Sequence, residues 1–170
     1  MEAHWKSIVW GQFGAAIDML ENSVRACPEE LWADQTRNPQ FWYVVYHTLF
    51  WLDFYLDDAP EVFAPPAPFN MDETDPAGLM PDRVYTRGEL LTYLEHGRRK
   101  CRSILEGLNE AQASAPRGLG SKATGTFAEL MLYNLRHVQH HTGQLNLILR
   151  QTVDAAPLWV ARAKDGLSER

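Results

Sequence analysis

Three histidines stand where their chemistry can be pooled. His137 and His141 lie in the run Leu135-Arg136-His137-Val138-Gln139-His140-His141-Thr142-Gly143-Gln144-Leu145. On a helix, residues at i and i+4 share one face about one turn apart. His47 lies in a different, strongly apolar segment, close to Val44, Trp51 and Phe54. Two imidazoles on one helix and a third on a facing helix suit a single metal ion. Three neutral protein ligands leave one position open for water or substrate, which separates catalytic metal sites from closed structural ones.

Helical phase chooses among the histidines. At about 100° per residue, Phe127, Leu130, Met131, Val138, Leu145, Ile148 and Leu149 mark a buried arc. His141 falls inside that arc and His137 at its edge, about 40° away, whereas His140 points towards solvent beside Tyr133 and Arg136. His137 with His140 is geometrically possible but fits the core less well. Asn134 and Gln144 lie on the same seam, and buried polar groups need partners. A lone histidine among apolar residues is often only a core residue with one hydrogen bond. A metal-free alternative therefore has the three rings bonded to Asn134, Gln144 and backbone. Asp18, Asp53 and Glu129 are candidate outer partners, and no general base is identifiable. His4 and His96 read as surface residues.

Four helical segments must position these groups. The first runs roughly from Glu2 to Cys27, with Trp5, Ile8, Val9, Gln12, Ala15, Ala16, Met19, Leu20 and Val24 at spacings of three and four, and Pro28 after it. The second is expected to start near Asn38-Pro39, Asn38 as N-cap, and to reach Asp57. It is apolar nearly all the way round and should be central or at an interface. Residues 58–85 hold Pro60, Pro65, Pro66, Pro68, Pro76 and Pro81, which prevents a continuous helix. Loops of that length are often functional or crossover segments. Thr86-Arg87-Gly88-Glu89 and Thr126-Phe127-Ala128-Glu129 are capping boxes that open the third helix, ending near Gly107, and the fourth, ending near Gln151. A Gly- and Ala-rich connection, Asn109 to Gly125, joins them, and no segment reads as a strand. Pro157 and the Leu158-Trp159-Val160 patch suggest a tail packing back. The expectation is an all-α four-helix bundle, one domain over residues 1–170, with a long proline-rich crossover between helices 2 and 3.

Composition narrows the function. The net charge is −6, and the longest basic run, Arg98-Arg99-Lys100 with Arg102, suits a solvated helix face. No nucleic-acid partner is expected. Cys27 and Cys101 form no CxxC pair, which suits reduced thiols and a cytoplasmic location. The apolar stretch Phe41–Leu56 is below the ~20 residues needed to cross a bilayer, so no membrane association is expected. His-Glu-x-x-His, Glu-x-x-His, Walker, GxGxxG and GxSxG motifs are absent.

These features together resemble the DinB/YfiT-like superfamily: the apolar helix with its histidine, the proline-rich crossover, the capped third helix, and above all Arg136 to Leu145. The resemblance implies a four-helix bundle, commonly dimeric, with a divalent metal on His47, His137 and His141. Zinc or nickel is expected first, manganese or iron as alternatives. It also implies transfer of a low-molecular-weight thiol to an electrophilic small-molecule substrate. The alternatives are metal-dependent hydrolysis and a non-catalytic metal-binding dimer. The uncompensated charge of an ion on three imidazoles favours an anion at the open position, and a thiolate fits. The aromatic surface of the second helix points to a homodimer unless the crossover and tail cover it.

Overall fold

Alternating apolar patterns and two strong caps resolve into four long helices in the computed structural model, which describes residues 3–78, 80–119 and 123–167. Helix α1 spans Ala3–Ala26. A single turn, α2, follows at Glu29–Trp32. Helix α3 spans Phe41–Tyr55 and α4 spans Arg87–Gly107. After a second single turn, α5 at Glu110–Ala113, strands β1 (Pro116–Leu119) and β2 (Ala123–Thr126) form a small antiparallel hairpin, Pro116 opposite Thr126. Helix α6 spans Phe127–Val153. The long helices pack in a ring: α1 against α4 and α6, α3 against the same two. Among the described residues, no helix is long and apolar enough to cross a membrane.

Both capping boxes form. Thr86 and Thr126 each accept from the backbone of the glutamate three residues on, and those glutamates bond back to the threonine N–H. Two free N–H groups at each helix start are thereby satisfied. Two local expectations are corrected. Helix α3 starts at Phe41, not at Pro39; Gln40 stands ahead of it in extended backbone, and the Asn38–Pro39 peptide is cis. The connection before α6 holds a hairpin. Its strands, Pro-Arg-Gly-Leu and Ala-Thr-Gly-Thr, are four residues long, too short to carry a period-two apolar pattern. Glu2, the expected first residue of helix one, lies outside the described residues.

The core is continuous, with Phe13, Ile17 and Leu20 of α1, Phe41, Val45 and Leu49 of α3, Leu90 and Leu94 of α4, and Val138 and Leu145 of α6 all buried. The crossover covers part of α3. Phe63 meets the rings of Phe50 and Phe54, and Phe69 stacks near Tyr46 and Tyr93. Helix α4 approaches α3 closely at Gly97, where a Cβ would stand 2.9 Å from Leu52 Cδ2. The tail does pack back on α1, but not through the expected patch. Leu158 and Trp159 are 87% and 69% exposed. The later residues do the packing: Ala163 N donates to Gly11 O, Lys164 N to Asp18 Oδ2, and Trp10 Nε1 to Asp165 O.

Asp53, 1% exposed, lies between α3 and α4. Lys100 Nζ meets its Oδ1 at 2.6 Å and Asp57 at 2.8 Å, and the Tyr93 hydroxyl donates to its Oδ2 at 3.2 Å. His96, expected at the surface, is half-exposed and stands 3.4 Å from the same carboxylate. Removing one partner of such a buried pair leaves the other desolvated. Asp53→Ala is expected to cost about 3–5 kcal/mol, measured as a lowered urea midpoint at unchanged slope. A loss below about 1 kcal/mol, the range of solvated surface pairs, would contradict a buried cluster.

Candidate metal centre

His47 projects from α3, and His137 and His141 project from α6. The two helices are tied nearby: buried Asn134 donates from Nδ2 to Leu52 O at 3.0 Å. That carbonyl lies in the last turn of α3, where Leu56 N bonds instead to Asp53 O, so the side chain of one helix completes the end of the other. The three rings converge. Centroids are 5.4 Å apart for His47–His137, 4.8 Å for His47–His141 and 4.5 Å for His137–His141. One nitrogen from each lies within 4.8 Å of the other two. All three residues are half-buried, so the centre can be reached from solvent. Among the described residues, the group able to hold an ion has these three members.

The outer partners decide which nitrogens are free. Glu73 Oε2 lies 2.7 Å from His47 Nδ1 and also accepts from Trp51 Nε1 at 3.1 Å. A carboxylate there holds the proton on Nδ1 and leaves the Nε2 lone pair facing the cluster. This is the carboxylate–histidine arrangement that orients a metal-binding imidazole and raises its basicity. Gln144 Oε1 lies 2.7 Å from His141 Nδ1 and does the same for that ring. Gln144 Nε2 in turn contacts His140 Nε2 at 3.2 Å. His140 is exposed and stands outside the three-residue group, as its helical phase implies.

His137 Nε2 faces His47 Nε2 at 3.4 Å. Two nitrogens bound at roughly 2.0–2.1 Å and a tetrahedral angle around one ion stand about 3.3–3.4 Å apart. His137 Nδ1 is buried without a hydrogen-bond partner, so this ring is positioned by packing, with Tyr55 at 6.2 Å between centroids. Burial, helped by the neighbouring imidazoles, pushes His137 down to about 3. Burial also lowers His141, against the opposing pull of Gln144. Both rings are therefore neutral donors near pH 7, the form a metal needs. Burial pushes the Glu73 carboxyl up, but His47, Tyr43 and Trp51 outweigh it and hold Glu73 below its ordinary value. The donor set therefore fits a divalent ion: three imidazoles, one backed by a carboxylate and one by an amide.

The other expected partners are engaged elsewhere. Asp18 pairs with Arg98 and the tail, Asp53 with Lys100, and Glu129 caps α6. Gln144 meets a histidine but is exposed, whereas Asn134 is buried and serves the backbone. Glu73 was missed. It sits in a 3₁₀ turn, Asp72–Thr74, within the proline-rich crossover, where no periodicity assigns a facing direction. The length of that loop was the available signal. Neither cysteine belongs to the histidine group: both are buried, and burial pushes Cys27 up to about 12 despite Arg87 beside it.

No curated protein and no solved structure matches the chain. One family model does, and it spans most of the chain: the match covers residues 12–145, from the first helix through His47, the crossover and both α6 histidines. On that match the chain belongs to the DinB superfamily.

Proposed function

We propose that the protein is a metal-dependent enzyme that transfers a low-molecular-weight thiol to an electrophilic small molecule, using a divalent ion, zinc or nickel, on His47, His137 and His141. One observation carries this reading: three imidazoles converge, two of them oriented from behind, with no fourth ligand in the group among the described residues. When bound, the ion would supply the positive charge that lowers a thiol's pKa and holds the sulfur as thiolate near neutral pH. The chain's own groups do the rest. Glu73 and Gln144 keep the protons of His47 and His141 on Nδ1, so both Nε2 atoms stay available. Trp51 and Tyr55 flank the histidines. The thiolate sulfur attacks the electrophilic carbon, and the leaving group departs with its electron pair. The thiol's proton passes to solvent as the sulfur ionises, so the attack itself needs no general base. The same geometry would also serve metal-dependent hydrolysis; the resemblance to the DinB superfamily favours thiol transfer over it.

The proposal extends to a homodimer. Leu158, Trp159, Leu147 and Leu132 are large apolar side chains left exposed. Two-fold pairing is the simplest way to cover surface of this kind.

The zinc- or nickel-loaded protein, mixed with a panel of low-molecular-weight thiols and 1-chloro-2,4-dinitrobenzene, is expected to consume thiol at a rate abolished by chelation. Elemental analysis is expected to find about one ion per chain. His137→Ala and His141→Ala should abolish or greatly reduce both metal and rate, while His140→Ala keeps metal near wild type. A loaded protein that leaves every thiol untouched but hydrolyses esters would reverse the choice of reaction. Equal metal loss in all three variants would overturn the ligand set.

Glu73→Gln keeps the shape of the side chain but removes its charge. Metal affinity is expected to fall about 10–100-fold, read by competition with a chromogenic chelator. Unchanged affinity would mean that Glu73 merely packs.

Light scattering at low micromolar concentration is expected to give about twice the chain mass of 19.4 kDa. A value near 19.4 kDa itself would exclude the dimer.

A further inference from the structure

A recess of about 690 Å³ adjoins the histidine cluster. That size suits a small organic ligand. Trp51, Phe54 and Tyr55 of α3 and Tyr133 of α6 give it aromatic walls, and Arg117 of β1 also lines it. Its walls are shared with the centre. Glu73 lines the recess and bonds His47; Trp51 stands 6.4 Å from the His47 ring, and Tyr55 stands 6.2 Å from the His137 ring.

The charges lining this recess are unequal in their commitments. Asp57 is held by Lys100 at 2.8 Å. Glu73 is held by His47 and Trp51, with the Tyr43 hydroxyl beside it. Arg117 is tied to Asp58 at 3.0 Å, but Asp58 is 87% exposed, and a solvated pair of that kind holds weakly. The guanidinium lies over the Phe127 ring at 5.5 Å, and its Nε is buried without a hydrogen-bond partner. Its Nε is thus short of an acceptor. A planar guanidinium so placed is suited to a carboxylate, which can take two of its N–H groups at once. Two carboxylates on the same lining disfavour a multiply charged anion such as phosphate.

We propose that this recess binds the electrophilic substrate, and that this substrate is a flat, largely apolar molecule bearing one carboxylate, which pairs with Arg117 in place of Asp58. The assignment as electrophile rests on the reading of the histidine cluster as the reactive centre; the binding itself does not. Aromatic walls select the flat body, and the guanidinium selects the charge.

The test uses chelator-treated protein, 2-naphthoate and its neutral counterpart 2-naphthamide, with calorimetry as the readout. Naphthoate is expected to bind about tenfold or more tightly than naphthamide, as hydrogen bonds between charged groups warrant. Arg117→Gln is expected to remove that preference and leave naphthamide binding unchanged. Equal affinity of the two probes for the wild-type protein would overturn the proposal, whether or not the variant folds. So would an Arg117→Gln variant that weakens both probes equally or neither. Naphthoate binding that requires added zinc and survives Arg117→Gln would place the carboxylate on the ion and overturn it as well. Failure of the histidines to bind metal would appear in elemental analysis and leave these affinities untouched.

Discussion

Helix α3 is apolar on nearly every side, so each polar group it carries must be answered by another element or by its own backbone. Thr48 turns back to Val44 O. Asp53 draws Lys100 and Tyr93 from α4. The carbonyl of Leu52 takes the amide of Asn134 from α6. His47 is answered on one side by Glu73 and on the other by the α6 histidines. Unpaired burial of such groups is costly, so these demands restrict how α4, α6 and the crossover can sit around α3. The histidine cluster is one consequence of that restriction. The helix tie at Asn134 lies close to His137, and a slip of α6 along α3 would break both.

Much of this was legible in the chain because helical phase is a one-dimensional property. Periodicity located α1 and α6, the threonine–glutamate boxes located the starts of α4 and α6, and phase alone separated His137 and His141 from His140. The rest depends on three-dimensional pairing. Gln144 lies on the histidine seam, yet it is exposed and acts through His141 and His140. Asp18 and Asp53 are buried acids, as a site partner would be, but their cations come from α4 at a distance that phase does not encode. Glu73 comes from a segment with no period at all. Proline density said what the crossover was not, and only packing reveals which of its carboxylates turns inward. The hairpin was invisible for a related reason: four-residue strands are too short to leave a period to read.

Membership of the DinB superfamily supplies the frame within which the centre is interpreted, but the tuning belongs to this chain's residues. Two of the three imidazoles have their second nitrogen bonded, one to a carboxylate and one to an amide. The third is held by packing alone. The three donors are therefore not equivalent: His47 is the most electron-rich, and His137 the one whose orientation depends most on its neighbours.

The placement of Glu73 on a loop rather than on a helix has a thermodynamic meaning. The turn at Asp72–Thr74 is held against α3 partly through the bond to His47, and His47 offers its other nitrogen to whatever occupies the centre. An ion held at the centre and a turn bonded to His47 would then favour each other by the same coupling free energy in either direction. A ligand that draws electron density from Nε2 makes Nδ1–H a stronger donor and tightens the crossover. Conversely, a change anywhere in that proline-rich segment that frees the turn is felt at the histidines, though it touches none of them.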